Sequence, residues 1–404
     1  MVQLTYFSEL SWLSVLLIVG ILLYIISYKT KISNIFLLLL AGIVAGRFVD
    51  FSPSFMAGFA TFALIMIIFD STSKFKLKEI ETYYGPSIKL TLTFLFFTVI
   101  ALTVFIFFLF NFSFTLESLL LALIFSSLMV GTSPDVILSS LKETKTRVIE
   151  VLKFESILNT PLSVLAPLIF LQIYQGGFDP SSTTISFIQN VATGIGLGLV
   201  LGFIIFRVMR RSYLEEISPL VVVATALLSY TLAEAIGGNG VLAVTTLGVV
   251  YGAMVIKQKE NISKFVDIFT TFLKIVTFIL IGLVIALPTS LTFFIKSLIL
   301  FALYLLIRFA AIEIAFLKTD LTRKEKVFMS LQVSKGVAVA VVTLILTSFA
   351  IEGMSLIINL SLLFILYSIV LTSLMSLVSG YFVKNTERKI ESIKKPKNNS
   401  KSKK

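Results

Sequence analysis

Histidine and cysteine are both absent from this 404-residue chain. Without cysteine there is no disulfide and no thiolate metal site. Without histidine, the side chain that ordinarily titrates near neutrality is missing, so a pH response has to come from carboxylates, lysine or tyrosine. Charge is scarce too. Asp, Glu, Lys and Arg make up 14% of the chain, against about a quarter in soluble domains. No nucleotide motif and no soluble regulatory domain is recognisable, which leaves an enzyme, or any cofactor, without support. A cleavable signal is not expected either: the first apolar run, from about Leu10, follows Glu9 rather than a basic residue and lacks a small-residue cleavage site.

What is present is apolar. Hydrophobic residues make up 57% of the chain and the mean hydropathy is +1.01. Runs of spanning or near-spanning length fall at 10–28, 34–49, 53–70, 89–110, 117–141, 149–174, 183–206, 217–235, 240–256, 264–286, 291–317, 326–349 and 357–383. The second, third and ninth are short. The reading is an all-α polytopic membrane protein with thirteen transmembrane helices over residues 1–383, followed by a basic tail, 384–404, expected to be disordered.

The formal charge of +12 would suggest nucleic acid as a partner of a soluble protein. Here its distribution points to topology instead. Connections after odd-numbered runs carry Lys29 and Lys31, Lys74 to Lys89, Lys142 to Lys153, Arg207 to Arg211, Lys257 to Lys264, and Lys318 to Lys326. Connections after even-numbered runs hold little beyond Arg47 and Lys296. The positive-inside rule then places the N-terminus outside and the tail in the cytoplasm of a plasma-membrane protein. The tail's lysines could also meet anionic lipid headgroups.

Two runs are interrupted. The fifth contains Gly131-Thr132-Ser133-Pro134-Asp135, where a proline and polar side chains would be costly against lipid. The twelfth contains Ser334-Lys335-Gly336. Such breaks are tolerated where protein or a wet cavity surrounds them. Split as a first repeat at 10–174, a linker span at 183–206 and a second repeat at 217–383, the chain puts the two breaks at corresponding positions of two inverted six-helix repeats. Discontinuous helices so arranged point to a midplane site in a transporter.

Charges within the runs or at their edges are Asp70, Asp135, Glu155, Glu234, Lys274, Arg308, Glu313 and Lys335. Each needs a partner or water. Glu155 and Lys335 are read as one structural ion pair bridging the sixth and twelfth spans. Arg308 and Glu313, five apart, do not share a helical face and need partners on other spans. Lys274, in mid-span, is read as a cation that pairs with a carboxylate or exchanges a proton. Glu155 and Asn159 share a face of the sixth span, and Pro161 frees a carbonyl beside them. Side-chain oxygens with loose carbonyls suit a hard monovalent cation.

Several of these segments resemble, in order, those of the monovalent cation:proton antiporters, in the NhaP-like sodium/proton branch. Ile68-Phe69-Asp70 resembles the family's Phe-Glu-Gly-Gly segment, Gly131-Thr132-Ser133-Pro134 its Thr-Asp-Pro stretch, and Glu155-Ser156-Ile157-Leu158-Asn159-Thr160 its Glu-Ser-Leu-Leu-Asn-Asp. Residues 233–244 resemble a recurrent mid-chain segment, and Lys335-Gly336-Val337-Ala338 the Arg-Gly stretch. The departures fall at the site: Thr160 stands for the ion-binding Asp, Ser133 for the Asp of the unwound stretch, Lys335 for Arg, and Ser71-Thr72 for the two glycines.

The resemblance implies a secondary-active exchanger of Na⁺ or K⁺ for H⁺, working by alternating access. A bundle including spans 5, 6, 12 and 13 would move against a scaffold, and the protein would be a homodimer. Thr132, Ser133, Asn159 and Thr160 are the expected cation ligands. Threonine and serine cannot carry a proton at physiological pH, so Asp135, then Asp70, then Lys274 are the proton-linked candidates. An uncoupled permease, or a channel-like or sensory relative on the same fold, is the alternative.

Overall fold

The computed structural model describes residues 2–30, 34–49, 51–74, 80–133, 147–176, 180–211, 214–256, 258–284, 290–317, 319 and 321–382. Asp135 and Pro134 lie outside the described residues, as does the basic tail from residue 383.

Every regular element among the described residues is helical. In chain order they are α1 (Val2–Thr30), α2 (Asn34–Ala45), α3 (Pro53–Ser73), α4 (Ile80–Phe97), a π turn (Thr98–Leu102) leading into α5 (Thr103–Phe110), α6 (Leu116–Leu128), α7 (Arg147–Gly176), α8 (Pro180–Arg211), α9 (Ser218–Ala235), α10 (Gly240–Ala253), α11 (Lys259–Val284), α12 (Leu291–Ala315), α13 (Arg323–Leu331), α14 (Val337–Leu346), α15 (Met354–Leu377) and α16 (Ser379–Phe382). Among the described residues, nine helices are long and apolar enough to cross a membrane, and α2, α6, α10 and α14 are shorter apolar helices. Together they fall one for one on the thirteen apolar runs. The third run, thought short, is a full helix of 21 residues, because Ser52 caps it with Pro53 in its first turn. The second and ninth are short, at 12 and 14 residues.

Local chemistry sets the ends. Thr115 accepts a bond from Ser118 N at the start of α6. Asn239 accepts one from Leu242 N at the start of α10. Thr322 and Glu325 form a capping box on α13. Glu234 belongs to this class. It is exposed at the end of α9, an edge of the eighth run, and its Oε1 accepts from Gly240 N at 2.8 Å. A carboxylate at a helix N-terminus complements the free N–H groups there.

The helices pack as two groups. In one, α10 packs on α8, α9 and α3, and α11 packs on α2 and α3. The approach of α2 and α11 depends on glycine: a Cβ on Gly42 would lie 2.3 Å from Ile279 O and 2.7 Å from Gly282 Cα. In the other, α7 packs on α4, α6 and α14, and α12 packs on α4 and α15. Where the groups meet, α14 leans on α3 and α11, and α7 touches α3 and α10.

Candidate functional site

The breaks in the fifth and twelfth spans meet. After α6 the chain is irregular through Gly131–Ser133, and between α13 and α14 it is irregular over 332–336. Ser133 N donates to Ser334 O at 2.8 Å, and Ser334 Oγ donates to Ser133 O at 3.0 Å. Backbone groups that left their own helices thereby satisfy each other, as a buried break requires. Gly336 permits the crossing, since a Cβ there would come within 2.8 Å of Ser133 Cβ.

Lys335 fastens the break. Its ammonium donates to the carbonyls of Met129 and Gly131 (3.1 Å to the latter) and to Tyr304 Oη at 2.6 Å. A cation at the C-terminal end of α6 meets the negative end of that helix. This corrects the expected Glu155–Lys335 pair. Glu155 instead holds Arg308 of α12 through both oxygens, with Nη2 to Oε2 at 2.6 Å. Neither side chain has any exposure. The reason is donor geometry: a guanidinium offers two parallel N–H groups that match a carboxylate, while three converging oxygens suit an ammonium. Phe94 stacks under Arg308, 4.3 Å from its Cζ. The expectation that Arg308 and Glu313 have partners on other spans holds, with Glu313 bound by Lys326 at 2.8 Å.

Of the four expected cation ligands, Asn159 is fully buried and braces the break. Its Nδ2 donates to Thr132 Oγ1 at 2.8 Å, and its Oδ1 accepts from Thr132 N at 3.3 Å. Thr132, Ser133 and Thr160 line a cavity of about 90 Å³, room for several water molecules. Thr160 Oγ1 donates to Ser156 O at 2.6 Å, which leaves its lone pairs for the cavity. Pro161 cannot donate to Ile157 O, one turn back.

The cavity lies on the seam between the two helix groups. One wall is α3, with Asp70, Ser71 and Lys74, together with Lys274 of α11; the other is the break, α7 and the first turn of α14. Asp70 and Lys274, both named from sequence, are thus brought together with the hydroxyl cluster. Ser156, Ser163, Lys74 and Lys153 also line it, and none of them is a site candidate on the sequence alone. Lys74 had a visible signal, since it stands four residues after Asp70 on one helical face. Its ammonium lies 2.8 Å from Asp70 Oδ1 and 2.7 Å from Asp267 Oδ1. Burial pushes the Lys74 ammonium down, and the two carboxylates more than reverse this, holding it above the usual lysine range. Among the described residues no group of three or more acidic side chains could hold a metal ion. A cation in this cavity would meet one carboxylate and neutral oxygens, with Lys74, Lys153 and Lys274 in the same lining.

The sodium/hydrogen exchanger transmembrane family model matches residues 13–380. The chain is 27% identical over 175 residues to the Na⁺/H⁺ antiporter ApNhaP of Aphanothece halophytica, which is 41% of this chain and 34% of that protein. It is 25% identical over 279 residues to the K⁺/H⁺ antiporter NhaP2 of Shewanella sp. strain MR-4, covering 66% and 47%. The matched region therefore spans between 34% and 47% of the length of these relatives. Among solved structures, the sodium proton antiporter MjNhaP1 of Methanocaldococcus jannaschii shares the fold, with a TM-score of 0.77 over 91% of this chain and 97% of that one at 21% identity.

Proposed function

Because this chain belongs to the sodium/hydrogen exchanger family, we propose that it is a secondary-active antiporter exchanging Na⁺ or K⁺ for a proton. The observation that carries the reading is the position of the cavity. It is small and lined by hydroxyls, one carboxylate and three lysines, it touches the crossing of two broken helices, and it lies between two helix groups. A site on such a seam can be exposed to either side of a membrane as one group rocks against the other. The relatives' names support both cations, one being a Na⁺/H⁺ and another a K⁺/H⁺ antiporter.

In this scheme Thr132, Ser133 and Thr160 give oxygens to the cation, and Asn159 holds Thr132 in place. Asp70 either carries the proton or helps bind the cation, so the two compete. Asp135, which follows the break in sequence, is the second proton-linked candidate. Lys274 is the third, and its positive charge is one that the entering cation must overcome. The group of α6, α7, α13 to α15 moves against α2, α3 and α8 to α11. The lysine-rich loops support a cytoplasmic C-terminus and an outer N-terminus in the plasma membrane, with lipid around the apolar helices, and a homodimer is proposed on the family resemblance.

The test is purified protein in liposomes bearing an imposed pH gradient. Addition of Na⁺ or K⁺ should collapse the gradient. One observation favours an uncoupled permease: where the family carries its ion-binding Asp, this chain has Thr160, whose hydroxyl donates to Ser156 O and cannot carry a proton. A cation leak without proton movement would select that second reading.

A further inference from the structure

The exchange scheme requires a cation to reach Asp70, and an ammonium is already there. Asp70 is 3% exposed and is the only carboxylate in the cavity lining among the described residues. Both its oxygens lie against Lys74 Nζ, at 2.8 and 2.9 Å. The same nitrogen lies 2.7 Å from Oδ1 of Asp267 on α11. Lys74 sits just past the end of α3 and its side chain is 46% exposed, while Asp267 is 50% exposed. The arrangement is a compact monovalent cation on a flexible stem, shared between a buried seat and a half-exposed one.

We propose that Lys74 is a tethered competitor for the transported cation at Asp70, and that Asp267 is the alternative seat that takes its ammonium when the cation enters. The inference rests on the exchange reading above. An ammonium has the charge of Na⁺ or K⁺ and is strongly hydrated. The incoming ion therefore replaces like with like, and Asp70 need not stand bare at any stage. The shift costs only side-chain rotation, since Asp70 and Asp267 stand on α3 and α11, which pack directly on each other. The other charges facing the cavity are Lys274 and Lys153, both positive. They disfavour a second cation beside Lys74 and so sharpen the competition. Lys74 thus sets apparent cation affinity without being a ligand itself.

A purely structural Lys74 would only tie α3 to α11, and removing it would leave the Michaelis constant alone. Competition predicts otherwise. If Lys74 occupies Asp70 nine-tenths of the time, Lys74→Gln lowers the KM for Na⁺ or K⁺ about tenfold. Lys74→Arg, which keeps the charge, restores the wild-type direction. Asp267→Asn removes the half-exposed seat and raises KM about twofold, the scale of an exposed pair. In the Lys74→Gln background Asp267→Asn has no further effect, because its action runs through the lysine.

The experiment is initial-rate exchange in proteoliposomes for wild type, the three single variants and the double variant, with the salt midpoint of cation-induced thermal stabilisation measured in detergent on the same samples. An unchanged KM in Lys74→Gln overturns the inference, and so does an Asp267→Asn factor that persists in the double variant. Wild-type protein without exchange would instead overturn the antiporter reading. The thermal midpoint would then decide: a lower midpoint in Lys74→Gln keeps Lys74 as a competitor for binding, and an equal one removes it. Should Lys74→Gln fail to fold, Asp267→Asn, at a half-exposed position, carries the test, and an unchanged KM there overturns it.

Discussion

The two ionic clusters at the broken helices and at the cavity, Glu155 with Arg308 and Lys335, and Asp70 with Lys74 and Asp267, behave as opposites. In the first, Glu155, Arg308 and Lys335 have no exposure, and every charge meets oxygens or nitrogens fixed by helix packing. In the second, Asp70 is buried but Lys74 and Asp267 are about half exposed. A sealed pair is held because either partner alone would be a bare charge in a low dielectric. A half-open pair costs little to rearrange. The contrast separates what keeps the broken helices crossed from what can give way to an ion.

The comparison is broken most severely at the sealed end. Glu155→Gln leaves Arg308 buried without its counter-charge, which should cost about 3–5 kcal/mol. The expected outcome is loss of the monodisperse peak in detergent and of exchange together. Asp70→Asn acts at the open end and should do the reverse. Exchange is lost in liposomes, while Lys74 keeps Asp267 and thermal stability changes by less than about 1 kcal/mol. A stable Glu155→Gln protein, or an unfolded Asp70→Asn protein, would show that the two clusters are not distinct in kind.

Asn159 lies between them, one turn along α7 from Glu155. Its two bonds to Thr132 are buried, and Asn159→Ala leaves the Thr132 N–H without an acceptor. That should cost about 1–3 kcal/mol and raise the cation KM with little change in turnover of the folded fraction. Unchanged KM in the presence of a lowered melting temperature would assign Asn159 to the sealed cluster alone.

Much of this frame is legible in the amino-acid sequence. Hydropathy runs gave the spans because a bilayer leaves apolar helices as the answer for such a chain. The two breaks were legible because Gly131 to Pro134 and Ser334 to Gly336 place polar or helix-weakening residues where lipid would punish them. The pairing of charges was not. Sequence spacing ranks neighbours on one helix, but Glu155 had to choose between a cation on another helix and one in the second break. What decided was the fork of Arg308 against the single nitrogen of Lys335, together with three-dimensional reach. Lys74 was missed for the opposite reason: its i to i+4 relation to Asp70 was visible but had been counted only as topological charge. Asp135 lies outside the described residues, and its role stays with the sequence argument.

The smallest effect should come from Glu313 and Lys326, which join α12 to α13 at 2.8 Å. This pair resembles the sealed cluster in linking two helices and the open one in meeting solvent, with the Glu313 side chain 33% exposed. If exposure rather than helix-bridging controls the cost, Glu313→Gln should lower stability by less than about 1 kcal/mol, a loss that shrinks further in high salt. The KM for the cation should not move, since neither residue lines the cavity. A melting shift as large as that of Glu155→Gln would mean that bridging itself, and not the absence of water, holds the broken helices in register.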